Sequence, residues 1–392
     1  MSKHCQLTYN AININGDVVS HCCMQQPVMI KNNWNDITNL NEFYKNNDQF
    51  AKIRNDLENG IEHPACRSCW YYEEKYNSSP RIHNTYFAPD DNRKIVDIEY
   101  VDLRLSSECN LQCKMCDPGS SSQLYKLAVE LTKLNIDHPW YIDVPGNPKY
   151  IGELKRVDTK NLLNLILDLP NLKGIRFAGG EPFLMPEVEE LLFKLVEKNK
   201  LDIEIEFITN CTSAKTRVLS TLEKFKKVMI MCSIDGVEDT IEYQRYPVKW
   251  ETVENTFIKF YNSKCKTKLV PCIGILNYLD LHRFFAWANQ FTKTQISYTE
   301  IAGAGTDFFN FRYVPEDVRA DFYNKFSKIK LKNVDAKWRK FQKSVMYETL
   351  EPTQVHCNEL HQYSQKVWDY RCKEKFLDRY PYMNYMIDRA KK

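Results

Sequence analysis

The 392-residue sequence contains no apolar run approaching the ~20 residues needed to cross a bilayer. Its first residues, Met1-Ser2-Lys3-His4-Cys5-Gln6, lack the apolar core of a signal peptide. Charge imbalance is also scarce. A net charge of +3 is small for this length, so neither a membrane-surface partner nor a specific nucleic-acid partner is expected. No internal repeat or low-complexity segment is evident, which argues against a solenoid or an array. These absences lead to the expectation of a cytoplasmic protein.

Core-forming residues and cysteine are plentiful. A hydrophobic fraction of 43% with 13% aromatics can build a large core, and the length suggests two or three domains. There are 14 cysteines, and a reducing compartment disfavours disulfides between them. Several are clustered, which favours metal binding. The scattered ones (Cys211, Cys232, Cys265, Cys272, Cys357 and Cys372) read as small core residues.

The densest cluster is Cys109, Cys113 and Cys116, spaced C-x3-C-x2-C within Ser107-Glu108-Cys109-Asn110-Leu111-Gln112-Cys113-Lys114-Met115-Cys116-Asp117-Pro118. Three thiolates can hold three irons of a [4Fe–4S] cube and leave the fourth iron open to a substrate or cosubstrate. Two plainer readings compete. Positions i, i+4 and i+7 share a helix face, so the cysteines could form a buried stripe. They could also belong to a zinc site with a distant fourth ligand.

Before this loop, residues 12–19 alternate around Asn15-Gly16 and predict a β-hairpin leading to His21-Cys22-Cys23. Helical spacing over Leu40–Leu57 predicts one helix, closed by Asn59-Gly60. Cys66 and Cys69 then form a C-x2-C turn. Such a turn chelates, and a cysteine at the hairpin end, Cys22 or Cys23, is a natural partner for it. Tetrahedral zinc, with His21 or His63 participating, fits the spacing too. Glu73, Glu74 and Arg81 follow; they could face a substrate, but the plainer reading is a solvated connector.

From residue 90 to 305, strands and helices alternate. Strands are expected at 98–105, 173–178, 203–209, 228–234, 268–276 and 295–301. Helices are expected at 120–134, 159–169, 186–198, 214–225, 250–261 and 280–291, and residues 138–152 read as a loop. This order argues for an α/β fold with a parallel sheet, reactive groups lying beyond the C-terminal ends of the strands. One strand runs into Gly179-Gly180-Glu181-Pro182, 63 residues after Cys116. Its glycines let the backbone approach a ligand, and Glu181 can accept from an ammonium group. The next strands end in Thr209-Asn210 and in Ser233-Ile234-Asp235-Gly236, the latter followed by Arg245. Residues 306–392 read as helical and aromatic, with Lys325, Lys328, Lys330, Lys332, Lys337, Arg339, Lys340 and Lys343 as a basic and ordinarily solvated run.

In order and at strand ends, these motifs resemble the radical S-adenosylmethionine (SAM) superfamily. Met115 stands where that family more often has an aromatic residue. The N-terminal cysteines resemble the auxiliary-cluster module of SPASM/twitch members, phage-encoded ones among them. Here, however, the module precedes the core, and Gly16 lies one residue farther from Cys22 than usual. The resemblance implies a partial (β/α)6 barrel over 90–305, a small cysteine-rich hairpin/helix module and linker over 1–89, and a helical C-terminal extension over 306–392. It implies a SAM-binding [4Fe–4S] cluster on Cys109, Cys113 and Cys116, with Met115 in the same loop. It implies an auxiliary [4Fe–4S] cluster on Cys5, Cys22, Cys66 and Cys69, zinc being the lesser alternative. SAM would be bound by Gly179, Gly180, Glu181 and Pro182 at its amino group, and by Ser233 and Arg245 at its carboxylate. An electron donor such as flavodoxin or ferredoxin is implied, as is a substrate that is either a peptide or protein or a small molecule. A non-catalytic zinc- or iron–sulfur-binding interaction protein with a vestigial barrel is the competing expectation.

Overall fold

The computed structural model describes residues 3–16, 18–25, 30–31, 34–77, 79–83, 94–136, 138, 159–300, 307–329, 332–334, 338, 352–362, 367 and 375–390. The loop expected over 138–152, apart from His138, lies outside these residues. So do Lys330, Lys337, Arg339, Lys340 and Lys343 of the basic run, and Cys372. Contacts divide the chain into two compact units. The first comprises Met1–Ser107, Leu154–Ile208 and Lys215–Met229, and the second Glu108–Glu153, Thr209–Ala214 and Ile230–Lys392. Among the described residues, no helix is long and apolar enough to cross a membrane.

In the first unit the expected hairpin is present. Strand β1 (Ala11–Asn15) pairs antiparallel with β2 (Val18–Ser20), and Gly16 takes a positive φ of 62° in the turn between them. Strand β3 (Ile30–Lys31) continues on β2. The other edge of β1 pairs in parallel with β4 (Tyr100–Arg104), from Ala11 opposite Tyr100 to Asn15 opposite Arg104. Strands β5 (Gly174–Phe177) and β6 (Glu204–Thr209) follow in parallel. Strand order here is β3-β2-β1-β4-β5-β6, with β3 as a free end of the sheet among the described residues, so the sheet is not a closed barrel. Ile12, Ile14, Val101, Leu103, Ile175 and Ile205 are buried along it, and the Phe177 and Phe207 rings pack with centroids 4.8 Å apart.

Helices cover this sheet as the apolar spacing predicts. Pro186–Glu197 starts on proline, carries Glu187 and Glu189 in its first turn, and buries Val188, Leu191, Leu192 and Leu195. The single helix expected over Leu40–Leu57 is instead two, Leu40–Asn46 and Asp48–Glu58. The break falls at Asn47, which leaves helical dihedrals (ψ 121°) and accepts from the backbone N–H groups of Gln49 and Phe50. Apolar periodicity runs straight through this point, because Tyr44 and Phe50 enter one core from both sides of the break. Substituting Asn47→Ala is expected to cost about 1 kcal/mol, measurable by denaturant unfolding.

Strand β7 (Lys227–Cys232) ends in the second unit. The single strands expected at 268–276 and 295–301 are each divided: β8 (Lys266–Leu269) and β9 (Cys272–Ile273), then β10 (Gln295–Ile296) and β11 (Thr299–Glu300). β8 pairs in parallel with β10, and β9 with β11. Pro271, which has no N–H to give a ladder, stands at the first division. Helices Ser122–Lys133, Trp250–Asn262 and Leu281–Ala288 lie where expected. A short helix, Asp239–Gln244, was not legible from periodicity. Pro315 precedes the helix Glu316–Phe326.

Candidate functional site

Cys109, Cys113 and Cys116 lie in an irregular loop of the second unit rather than on a helix, so they are not a helical stripe. The loop is held at both ends. Ser121 caps the helix Ser122–Lys133 and donates to the Leu111 carbonyl at 2.6 Å, while Ser122 Oγ bonds the backbone of Cys109. In its middle, two backbone hydrogen bonds tie the loop to a distant segment. Gln112 N–H donates to the Tyr246 carbonyl at 2.7 Å, and Lys114 N–H donates to the Gln244 carbonyl at 2.8 Å. Cys113 therefore stands opposite Arg245, and Arg245 Nη1 donates to its sulfur at 3.7 Å. Asn210, from the strand-end Thr-Asn, donates through Nδ2 to the Cys109 sulfur at 3.8 Å and to Asn110 Oδ1 at 3.1 Å.

Burial is the first cause that pushes the Cys113 thiol up to about 12. The neighbouring Cys109 and Asp235 act in the same direction, and Arg245 opposes them. Cys116 is raised well above its ordinary value by burial, then by Cys113, Asp117 and Cys109. Cys109 thus disfavours the thiolates of Cys113 and Cys116, and Cys113 that of Cys116, a conflict that bound iron cations would relieve. N–H donors on two of the three sulfurs complete a donor set suited to a cluster. Met115 is half-buried in the same loop. The side chain of Lys114 is 1% exposed, with Nζ 3.2 Å from the centroid of the Tyr243 ring.

Arg245 is itself anchored. Its Nε donates to Asp235 Oδ2 at 2.6 Å, and the Asp235 side chain is fully buried. Burial works against the Arg245 charge, but Asp235 and then Cys113 outweigh it and raise its pKa. Ser233 is half-buried, and its N–H donates to the Thr209 carbonyl.

Gly179, Gly180, Glu181 and Pro182 lie in the first unit, directly after β5. Gly179 has a φ of 113°, and a Cβ there would stand 3.0 Å from the Ser106 carbonyl oxygen, which also accepts from Gly180 N–H. Both the dihedral and the space require glycine. Gly179→Ala is expected to destabilise the protein by ~1–3 kcal/mol, read as a lowered Tm. Glu181 is fully buried and accepts from Phe183 N–H at 3.1 Å, which fixes its carboxylate at the start of the turn Pro182–Leu184.

The first unit also gathers the N-terminal cysteines. Cys5, Cys22, Cys66 and Cys69 line one cavity together with Arg81 and His21; Cys23 is not part of its wall. Burial first, then Cys66 and Cys69, pushes Cys5 up to about 12. Burial and Cys69 do the same for Cys66. Cys22 is raised well above its usual value by burial, Cys5, Cys23 and Cys69. Cys69 is raised by burial, opposed by the Arg81 backbone. These thiols again suit a positively charged metal group. His63 is not in the cavity wall, and its Nδ1 accepts from Ala65 N–H. No group of three or more His, Cys, Asp or Glu is placed around a single metal-ion position among the described residues. A cube, which takes one thiolate per iron, does not ask for such convergence.

Arg81, expected in a solvated connector, instead bonds Glu73 through Nε at 2.9 Å and through Nη2. It packs 4.8 Å from the Trp70 ring and faces the cysteine cavity. An Arg twelve residues past Cys69 carries no signal for this. Asp235 was part of an ordinary strand-ending turn by sequence; only its buried pairing with Arg245 singles it out.

Residues 103–288 match the family model of the radical SAM superfamily. No curated protein matches the chain. Among solved structures, native anSMEcpe with bound AdoMet is similar at 16% identity over 60% of this chain and 63% of that one, with a TM-score of 0.40. Streptococcus suis SuiB bound to precursor peptide SuiA is similar at 14% identity over 70% and 63%, with a TM-score of 0.35. TYW1 with a lysine-pyruvate adduct bound is similar at 14% identity over 72% and 89%, with a TM-score of 0.37. The chain thus spans 60–68% of the length of the anSMEcpe structures with bound AdoMet.

Proposed function

We propose that this chain, which carries a radical SAM superfamily domain over residues 103–288, is an enzyme that cleaves SAM reductively. Cys109, Cys113 and Cys116 would be the ligands of its [4Fe–4S] cluster. The observation that carries this reading is one irregular loop bearing Cys109, Cys113 and Cys116, with side-chain N–H donors on the sulfurs of Cys109 and Cys113. When bound and reduced, the cluster and SAM supply a 5′-deoxyadenosyl radical able to take hydrogen from a substrate C–H bond.

The chain's own residues position and shield. In the first unit, Glu181 would accept from the SAM ammonium group, its carboxylate held in place by Phe183 N–H. Ser233 and Arg245 would meet the SAM carboxylate, Arg245 through Nη2, since Asp235 takes Nε and Cys113 takes Nη1. Cys5, Cys22, Cys66 and Cys69 would hold an auxiliary [4Fe–4S] cluster, supported by their common cavity. Zinc in that cavity, with or without a working core, is the second reading; it would need donors around one point, and no such group is placed among the described residues. Electrons would come from flavodoxin or ferredoxin. The substrate class remains a peptide or protein, or a small molecule.

Anaerobic reconstitution with iron, sulfide and zinc counted, followed by an assay for 5′-deoxyadenosine, tests the proposal. About eight irons per chain and SAM cleavage under reduction are expected. Zinc without iron would favour an interaction protein, and about four irons with zinc would assign zinc to the N-terminal site.

A further inference from the structure

We infer that Asp235 is a positioning residue: its carboxylate aims Arg245 at the sulfur of Cys113 and so sets the reduction potential of the cluster. The inference rests on Cys113 being a cluster ligand. Two constraints place Arg245. Two backbone hydrogen bonds, Gln112 N–H to the Tyr246 carbonyl and Lys114 N–H to the Gln244 carbonyl, hold its backbone beside Cys113. Nothing in those two bonds orients the long side chain, which would otherwise keep several rotamers. Asp235 supplies the orientation by holding Nε at 2.6 Å, which turns the guanidinium plane so that Nη1 reaches the sulfur at 3.7 Å.

Asp235 is in turn held without slack. Its Oδ1 accepts from Cys272 N–H at 2.8 Å. Its backbone carbonyl accepts from Asn277 Nδ2 at 2.8 Å, and the same amide donates to the Cys272 carbonyl at 2.8 Å. Asn277 Oδ1 accepts from Gly274 N–H at 2.9 Å. The carboxylate therefore stands on a rigid frame, with one oxygen for the frame and one for Arg245. An N–H donor on a cluster thiolate draws electron density from the sulfur and favours the reduced state, so it raises the potential.

The experiment compares reconstituted full-length wild type, Asp235→Asn, Arg245→Gln and the double variant, with iron counted and the midpoint potential followed by spin resonance. A positioning role predicts opposite signs in the two backgrounds. Asp235→Asn should lower the midpoint when Arg245 is present, because the donor loses its aim. It should raise the midpoint when Arg245 is already Gln, because only a negative charge is then removed. An upward shift in both backgrounds, or no shift with Arg245 present, overturns the inference. Asn277→Leu changes no charge and loosens the same frame. It should move the midpoint downward by a smaller step, and it decides the matter if Asp235→Asn fails to take up iron: no downward shift then overturns the inference. A wild type that takes up no iron defeats the cluster reading itself, a different result from any of these.

Discussion

Cys113→Ala is expected to lower the iron content from about eight to about four per chain and to abolish 5′-deoxyadenosine formation. The three loop cysteines are spaced so that each can serve a different iron. Loss of one would leave two protein ligands on a cube that already lacks a fourth. Cys113 is buried, lies between two residues whose N–H groups bond the segment of Arg245, and is touched by the Arg245 guanidinium. Removing one buried sulfur leaves a small void, while the hydrogen bonds of Gln112 and Lys114 belong to the backbone and remain. The fold should therefore persist, by circular dichroism, while the chemistry is lost. SAM cleavage at the wild-type rate by this variant would end the proposed function.

The second large effect separates the two cysteine sites. Cys69→Ala should also remove about four irons, yet leave uncoupled SAM cleavage in place and abolish substrate conversion. Cys69 lies on the helix Arg67–Tyr76 and faces a cavity formed within the first unit alone. The loop that holds Cys113 belongs to the second unit. A variant that stops cleaving SAM altogether would mean that the N-terminal cysteines serve the SAM-cleaving site itself. If zinc fills the cavity, the same substitution should remove one zinc and no iron.

Local spacing made much of this legible. C-x3-C-x2-C, Gly-Gly-Glu-Pro and the alternation of strand and helix are short-range patterns, and the helices following Pro186 and Pro315 start where those residues place them. Arrangements between distant segments were not legible. The Cys113–Arg245 contact spans 132 positions, and nothing in either segment announces the other. The parallel pairing of β1 with β4 joins positions 11 and 100, and the hairpin pattern alone gives no hint of it. Apolar periodicity also hid the break at Asn47, because the core on both sides of it is continuous. Arg81 looked solvated because its partners, Glu73 and Trp70, neutralise and cover it only once the helix Arg67–Tyr76 has formed.

The five-residue pairing of β1 with β4 carries one last implication for anyone trimming the protein. A fragment begun downstream of the hairpin would strip β4 of its neighbour and bare a row of amide and carbonyl groups, a template for self-association. Insolubility of such a fragment would then report a missing strand rather than a missing cofactor.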